Sequence, residues 1–293
     1  MVIRQFKNDD TLSLFNIWRE CFTDDTNYIN NFLKNCLPYT ETWVLIPENE
    51  STPVSVVTVI PSYIIENKTV INGGYIFGVG TLIKHRGHSY SKHIINTIFN
   101  HSKSNNLSYL LVKPAEHTLY NLYKRLSFDK TILKKVYHTE LNVSAFPVLK
   151  HKSIAVTFDQ YHKLREESLH NRAFIWPKEI LKYATEELAL RGGAIKFLET
   201  DSKTIFYAAH PLEENAETIK IIDHNINDAN ELNIVIRDIA SLFRFAKKVS
   251  FESDSDHSLM NKYTTTESAL YKIIALKMKE KSFGNKSLAY TME

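Results

Sequence analysis

Tyr75–Ser91, YIFGVGTLIKHRGHSYS, runs from an apolar stretch through a short basic loop into a helical pattern. Tyr75, Ile76, Phe77 and Val79 favour a strand. Lys84-His85-Arg86-Gly87-His88 follows as a cationic loop. From Ser89 to about Asn100 the apolar side chains fall at Tyr90, Ile94, Ile95, Ile98 and Phe99, the one-face spacing of an amphipathic helix. Strand, cationic loop and helix N-terminus make a site for anions. The first-turn N–H groups have no intrahelical partner, and the helix dipole favours negative charge there. Five of the eight glycines, Gly73, Gly74, Gly78, Gly80 and Gly87, lie just before or inside this stretch. Close backbone approach to a ligand accounts for them, and so do turns and a strand bulge.

A second strand–helix pair follows directly. Asn105-Asn106 reads as a helix stop, Ser108–Val112 as a short strand, and Pro114 as suited to the first turn of a helix with Leu119, Leu122, Tyr123 and Leu126 on its apolar face. Upstream, Ile3–Phe6 reads as a strand. Asp9 or Asp10 can cap a helix bearing Phe15, Trp18 and Phe22. Thr42–Ile46 and Val54–Val59 are strands joined by a polar turn, and Tyr63–Glu66 with Thr69–Ile71 forms a hairpin around Asn67-Lys68.

On these residues the chain resembles the GNAT superfamily of acyl-CoA N-acyltransferases. The family's pyrophosphate-cradling signature is an Arg or Gln, two residues, a Gly, one residue, then Gly or Ala. Arg86-Gly87-His88-Ser89-Tyr90-Ser91 falls on that frame, with serine at 89 and 91 where glycine or alanine is usual. Leu122-Tyr123-Lys124-Arg125-Leu126-Ser127-Phe128 is similar to the family's closing motif, again with a serine, Ser127, in a glycine's place. A serine still offers a backbone N–H, and its hydroxyl can bond a phosphate oxygen. The resemblance covers about 1–141 and implies an α/β fold, a GNAT-like mixed sheet, in the N-terminal half.

Beyond Leu141 the texture changes around Pro147, which places a boundary there: a catalytic domain over 1–145 and a second mixed α/β domain over 146–293. The second half offers helices over Phe158–Ser168 and Pro177 to about Arg191, the latter closed by Gly192-Gly193. A hairpin over Lys196–Thr200 and Thr204–Ala209 follows, then a strand near Thr218–Ile222 and a helix over Asp228–Lys247. A last helix, capped by Thr264 with Glu267, runs through Lys279. No second Arg-Gly loop leads into a helix there. Two-domain relatives resembling the enhanced intracellular survival type of acetyltransferase pair an active unit with a degenerate copy. On that reading the second half shapes the acceptor pocket or a homo-oligomer interface; an unrelated structural domain is the alternative.

The outer bounds are ordinary. The 293 residues suit about two domains, and 43% hydrophobic with 24% charged residues suits a soluble globular protein. A formal net charge of +3 argues against a dedicated nucleic-acid binder. No apolar run approaches a membrane span and no signal-peptide pattern opens the chain, so the expected location is cytoplasmic. Cys21 and Cys36 read as free, semi-buried thiols. His85, His88 and His93 do not share the spacing or the carboxylate and thiol company of a metal site, and no metal is expected.

The resemblance implies transfer of an acyl group, here acetyl, from acetyl-CoA as co-substrate to the primary amine of a small molecule or peptide. It places Val79, Gly80 and Thr81 at the pantetheine arm and thioester. Arg86, Gly87, His88, Ser89, Tyr90 and Ser91 fall at the pyrophosphate, and Tyr123 stands as the general acid for the departing thiolate. A core tyrosine with a satisfied hydroxyl has the same sequence appearance as that acid. Glu20, Asp24 and Asp25 fall where the family puts acceptor contacts, and no residue declares itself the base. Two other readings share these residues: a binding protein that has lost turnover, and an acyltransferase with a different acyl donor.

Overall fold

The computed structural model of the chain describes residues 1–22, 24–66, 68–141, 150–169, 173–212, 215–253, 263–273 and 287–288. The chain opens with β1 (Val2–Gln5), α1 (Thr11–Phe22), α2 (Thr26–Asn31), β2 (Glu41–Ile46), β3 (Ser55–Glu66) and β4 (Thr69–Thr81). It continues through α3 (Tyr90–Ser104), β5 (Tyr109–Val112), α4 (His117–Arg125) and β6 (Lys130–Glu140). Then come β7 (Lys152–Ser153), α5 (Phe158–Leu169), β8 (Ala173–Phe174), α6 (Lys178–Leu190), β9 (Ala194–Glu199), β10 (Thr204–Pro211) and β11 (Thr218–His224). The last elements are α7 (Ala229–Leu242), β12 (Lys248–Ser253), β13 (Tyr263–Ile273) and β14 (Ser287–Leu288). Two units result: Met1–Ile132 with Trp176–Tyr183 and Ala269–Gly284, and Leu133–Ile175 with Ala184–Ser268 and Asn285–Glu293. The boundary expected near residue 145 lies outside the described residues.

The first unit's strands run in the order β1-β2-β3-β4-β5-β13. β1 to β4 are antiparallel neighbours, β4 and β5 are parallel across the α3 crossover, and Leu270–Ile273 of β13 lies antiparallel to β5. Asp10, expected as a cap, is a buried carboxylate that accepts the Lys7 N–H in the short turn leading into α1. Arg4 donates to both of its oxygens at 2.7 and 2.9 Å, and the Lys7 N–H adds a third bond. The Arg4 bonds hold its pKa below the usual carboxylate value. The short helix α2 has no counterpart in the apolar periodicity; it is set by its cap, Asp25, which accepts from the Asn27 and Tyr28 N–H groups at 2.7 and 3.0 Å. The separate strands and hairpin expected between 54 and 79 are two long strands, β3 and β4. Pro61 does not break β3 because it lies past the last pair with β2, where the strand is an edge.

The core between this sheet and the helices after β4 contains Val57, Val59 and Ile76 from the strands and Ile94, Ile95 and Ile98 from α3. Tyr120, Tyr123 and Leu126 from α4 complete it. Around α1 the packing is aromatic: Trp18 stacks on Phe32 at 4.0 Å between ring centroids and meets Phe77 edge-on at 5.7 Å.

In the second unit the order is β6-β12-β11-β10-β9-β7, with β11 and β12 parallel across α7 and the other pairs antiparallel. Apart from β8 and β14, which pair parallel with each other, this strand order repeats the first unit's pattern. A terminal strand, two helices, a three-strand meander and a helical crossover follow in the same order, and the sixth strand comes from elsewhere in the chain. α5, α6, whose residues Lys178–Tyr183 belong to the first unit, and the β9–β10 hairpin stand as expected, and Gly192, with φ of +70°, closes α6. Two expectations fail. α7 stops at Leu242 and Lys248–Ser253 is a strand, with Val249 and Phe251 alternating into the core. The helix expected from Thr264 is strand β13, a threonine-rich run that supplies β5 with a second neighbour. Among the described residues no helix is long and apolar enough to cross a membrane.

Candidate active site

The site grows from the end of β4. Its parallel pairing with β5 ends at Ile76↔Val112, and β4 continues to Thr81 against β3 alone. Thr58 pairs with Phe77 and Val56 with Gly80, so Gly78 and Val79 together face the single residue Val57. This bulge puts Gly78 at φ of +57°, and a side chain there would stand 2.9 Å from the Trp18 ring. Strand β4 thus parts from β5 just ahead of the basic loop, leaving a backbone edge at Val79–Thr81.

The loop is shaped by its own backbone. The His85 and Arg86 N–H groups donate to the Leu82 and Ile83 carbonyls at 2.8 and 3.1 Å, and Gly87 turns the chain at φ of +84°. Ser89, the residue before α3, sits at φ of +60° and its side chain makes no cap bond. The N–H groups of the first turn of α3 therefore have no hydroxyl or carboxylate of their own to bind. Arg86, Gly87, His88 and Ser89 are exposed, and Tyr90 and Ser91 are half-buried. His88 turns Nδ1 onto the Arg86 carbonyl at 3.0 Å and stacks on Tyr90 with centroids 5.4 Å apart. Arg86 Nε donates to the Thr81 carbonyl at 3.2 Å, which ties the loop back to the strand edge. Within that loop the side chains of Lys84 and His85 reach Glu50, at 3.5 and 3.0 Å.

Tyr123 is 4% exposed in the core that Val79, Leu82, Leu119 and Tyr90 border, so three of the expected site residues, Val79, Tyr90 and Tyr123, share one cluster. Burial pushes its phenol pKa well above the usual value, which keeps it protonated. The end of α4 fixes it: the Phe128 N–H donates to the Tyr123 carbonyl at 3.1 Å and the Ser127 N–H to that of Lys124 at 3.0 Å. The Phe128 ring meets that of Tyr123 edge-on. This is a Schellman closure with Ser127 at φ of +63° in the position that favours glycine. Ser89 and Ser127 thus keep the left-handed conformation that glycine adopts most easily. Each replacement by glycine should add about 1 kcal/mol of stability, since neither side chain is buried. Thermal melts should rise by about 2–4 °C per substitution; a fall would show that the serine side chains hold these turns.

Sequence reasoning missed the role of α1's end. Glu20 Oε1 accepts the Ile83 N–H at 2.5 Å, and Cys21 Sγ lies 3.3 Å from the Thr81 carbonyl. Asp25 is spent on α2. Glu20 falls among the candidate acceptor contacts, but its bond to the Ile83 N–H, like the Cys21 contact with Thr81, has no local signal in the sequence. Neither cysteine is in a disulfide; Cys36 is buried and Cys21 half-buried. Among the described residues no three metal-binding side chains converge.

The corresponding helix of the second unit differs. Asp228 caps α7, accepting from the Asn230 and Glu231 N–H groups at 2.8 and 2.9 Å, and Glu231 accepts the Asn227 N–H at 2.7 Å. Beside the bulge of β11, Asp223 is a separate buried carboxylate bonded by Arg165 Nε at 2.6 Å and the Tyr161 hydroxyl at 2.8 Å; at the start of α7 the carboxylates are those of Asp228 and Glu231. That helix N-terminus is filled by the chain's own carboxylates.

Residues 2–129 match the family model of the acetyltransferase (GNAT) domain. Among solved structures, the chain is similar to a probable N-acyltransferase from Enterococcus faecalis V583, a conserved protein of unknown function (TM-score 0.76, 12% identity, 94% of this chain and 73% of that one). It is also similar to a GCN5-related N-acetyltransferase from Anabaena variabilis (TM-score 0.70, 13% identity, 94% and 74%). A third is Eis1 from Mycobacterium abscessus (TM-score 0.65, 8% identity, 94% and 75%). No curated protein matches the sequence. Residues 2–129 thus match the GNAT acetyltransferase domain, and over 94% of its length the chain shares the fold of these three structures.

Proposed function

We propose that the protein is an acyl-CoA-dependent N-acetyltransferase whose donor site lies in the first unit. The observation that carries this reading is the uncapped N-terminus of α3, at the end of a strand whose bulged edge is open, set against the carboxylate-filled N-terminus of α7. In this reading the N–H groups of Gly87 to Ser91 and the Arg86 and His88 side chains hold the pyrophosphate, by hydrogen bonding and the helix dipole. The edge Val79-Gly80-Thr81 holds the pantetheine arm and the thioester carbonyl through backbone groups. The second unit, with its filled counterpart site, serves as a degenerate copy.

The reaction joins an amine nitrogen to the thioester carbonyl carbon and breaks the carbon–sulfur bond. The amine gives up one proton to solvent or a base, the departing thiolate takes one from Tyr123, and the Tyr123 phenolate takes one back from solvent. Burial raises the phenol pKa, so Tyr123 enters the reaction protonated. The left-handed serines support turnover over a ligand-binding remnant, because the two turns keep their shape without glycine. The test is a panel of amines offered with acetyl-CoA, reading free thiol. Release above the hydrolysis background with at least one primary amine is expected; binding of acetyl-CoA with no release across the panel would favour the remnant.

A further inference from the structure

The loop that leads into α3 is held from outside by α1. Glu20 accepts the N–H of Ile83, the residue that opens the tight turn 83–85 from which Arg86 and Gly87 emerge. One residue on, Cys21 donates its thiol to the Thr81 carbonyl, the same oxygen that receives Arg86 Nε, and Arg86 Nη2 lies 4.0 Å from the sulfur. Gly80 lets α1 come this close: a side chain there would stand 2.8 Å from Ile17 and 3.4 Å from Cys21 Sγ. Glu50 braces Lys84 and His85 from the turn between β2 and β3.

A carboxylate beside a loop that receives a pyrophosphate is unfavourable by charge alone. Its backbone bond works in the opposite direction, because it fixes the loop before the ligand arrives and spares the ordering cost of binding. We propose that Glu20 is a positioning residue for acyl-CoA binding: it locks the donor loop to the end of α1 through the Ile83 N–H. This rests on the donor-site reading above.

The two effects have opposite signs, which makes the inference testable by acetyl-CoA calorimetry on the full chain. Glu20→Ala removes the bond and the charge together and should weaken binding about fivefold to tenfold. Glu20→Gln keeps an acceptor oxygen without the charge and should bind as tightly as the parent or tighter. Cys21 gives a readout that does not depend on the ligand. It is half-buried whereas Cys36 is fully buried, so N-ethylmaleimide should label Cys21 first, and faster in Glu20→Ala once α1's end is released. Ala binding as tightly as the parent, or labelling unchanged in the Ala variant, would overturn the proposal while leaving the donor site standing. A parent chain that binds no acetyl-CoA would remove both.

Discussion

Ser89→Asp is expected to abolish acetyl-CoA binding while leaving the protein folded. Ser89 is exposed, its side chain makes no cap bond, and aspartate is among the residues that tolerate its left-handed backbone. The change gives α3 the acidic N-cap residue that α7 has in Asp228. A fixed carboxylate then competes for the N–H groups proposed to take the pyrophosphate and repels it. Like charges about 4–5 Å apart in a partly solvated site interact by roughly 2–4 kcal/mol, so affinity should fall on the order of 100-fold or more. Calorimetry beside a thermal melt reads both halves of the prediction. An unchanged affinity would place the donor elsewhere on the chain.

Tyr123→Phe separates chemistry from packing. If Tyr123 protonates the thiolate, turnover should drop by about 10²–10⁴ with acetyl-CoA affinity nearly unchanged, because the proton is needed only in the transition state. The phenyl ring still fills the core beside Phe128 and keeps the edge-on contact. The melt should therefore move little, as for a change that removes one hydroxyl. A merely structural tyrosine would show activity in proportion to folded protein. The pH profile adds a sign. The raised phenol pKa means that this acid is not lost as pH climbs through about 10, the ordinary tyrosine value, so any alkaline fall in rate below that point belongs to another group. If Tyr123→Phe turns over like the parent, the donor is another group such as Tyr120 or water.

The order of strand, basic loop and helix was legible because its signals are local: a strand-forming run, clustered basic residues and the start of a helical stripe follow each other within Tyr75–Ser91. The segment Leu122–Phe128 stood out in the sequence through its resemblance to a closing motif, whereas the Schellman turn it forms is visible only in the structure. What escaped is non-local. The bulge at Gly78–Val79 depends on register against Val57, and the bond from Glu20 to Ile83 joins residues far apart in sequence. Strand β13 reads as a capped helix until β5, some 160 residues earlier, is available to pair with it. The apolar spacing of Phe243 and Ala246 likewise extends a helical pattern past the true end of α7. The second unit's likeness to the first lies in strand order, which no local pattern carries.

On the proposed function, the first unit carries one working acyl-CoA site and the second, whose strands follow the same order, carries none. Calorimetric titration of the unmodified chain with acetyl-CoA tests it most directly. One equivalent bound per chain, displaced by coenzyme A, is the predicted result. No heat at millimolar ligand, or two equivalents per chain, would contradict it.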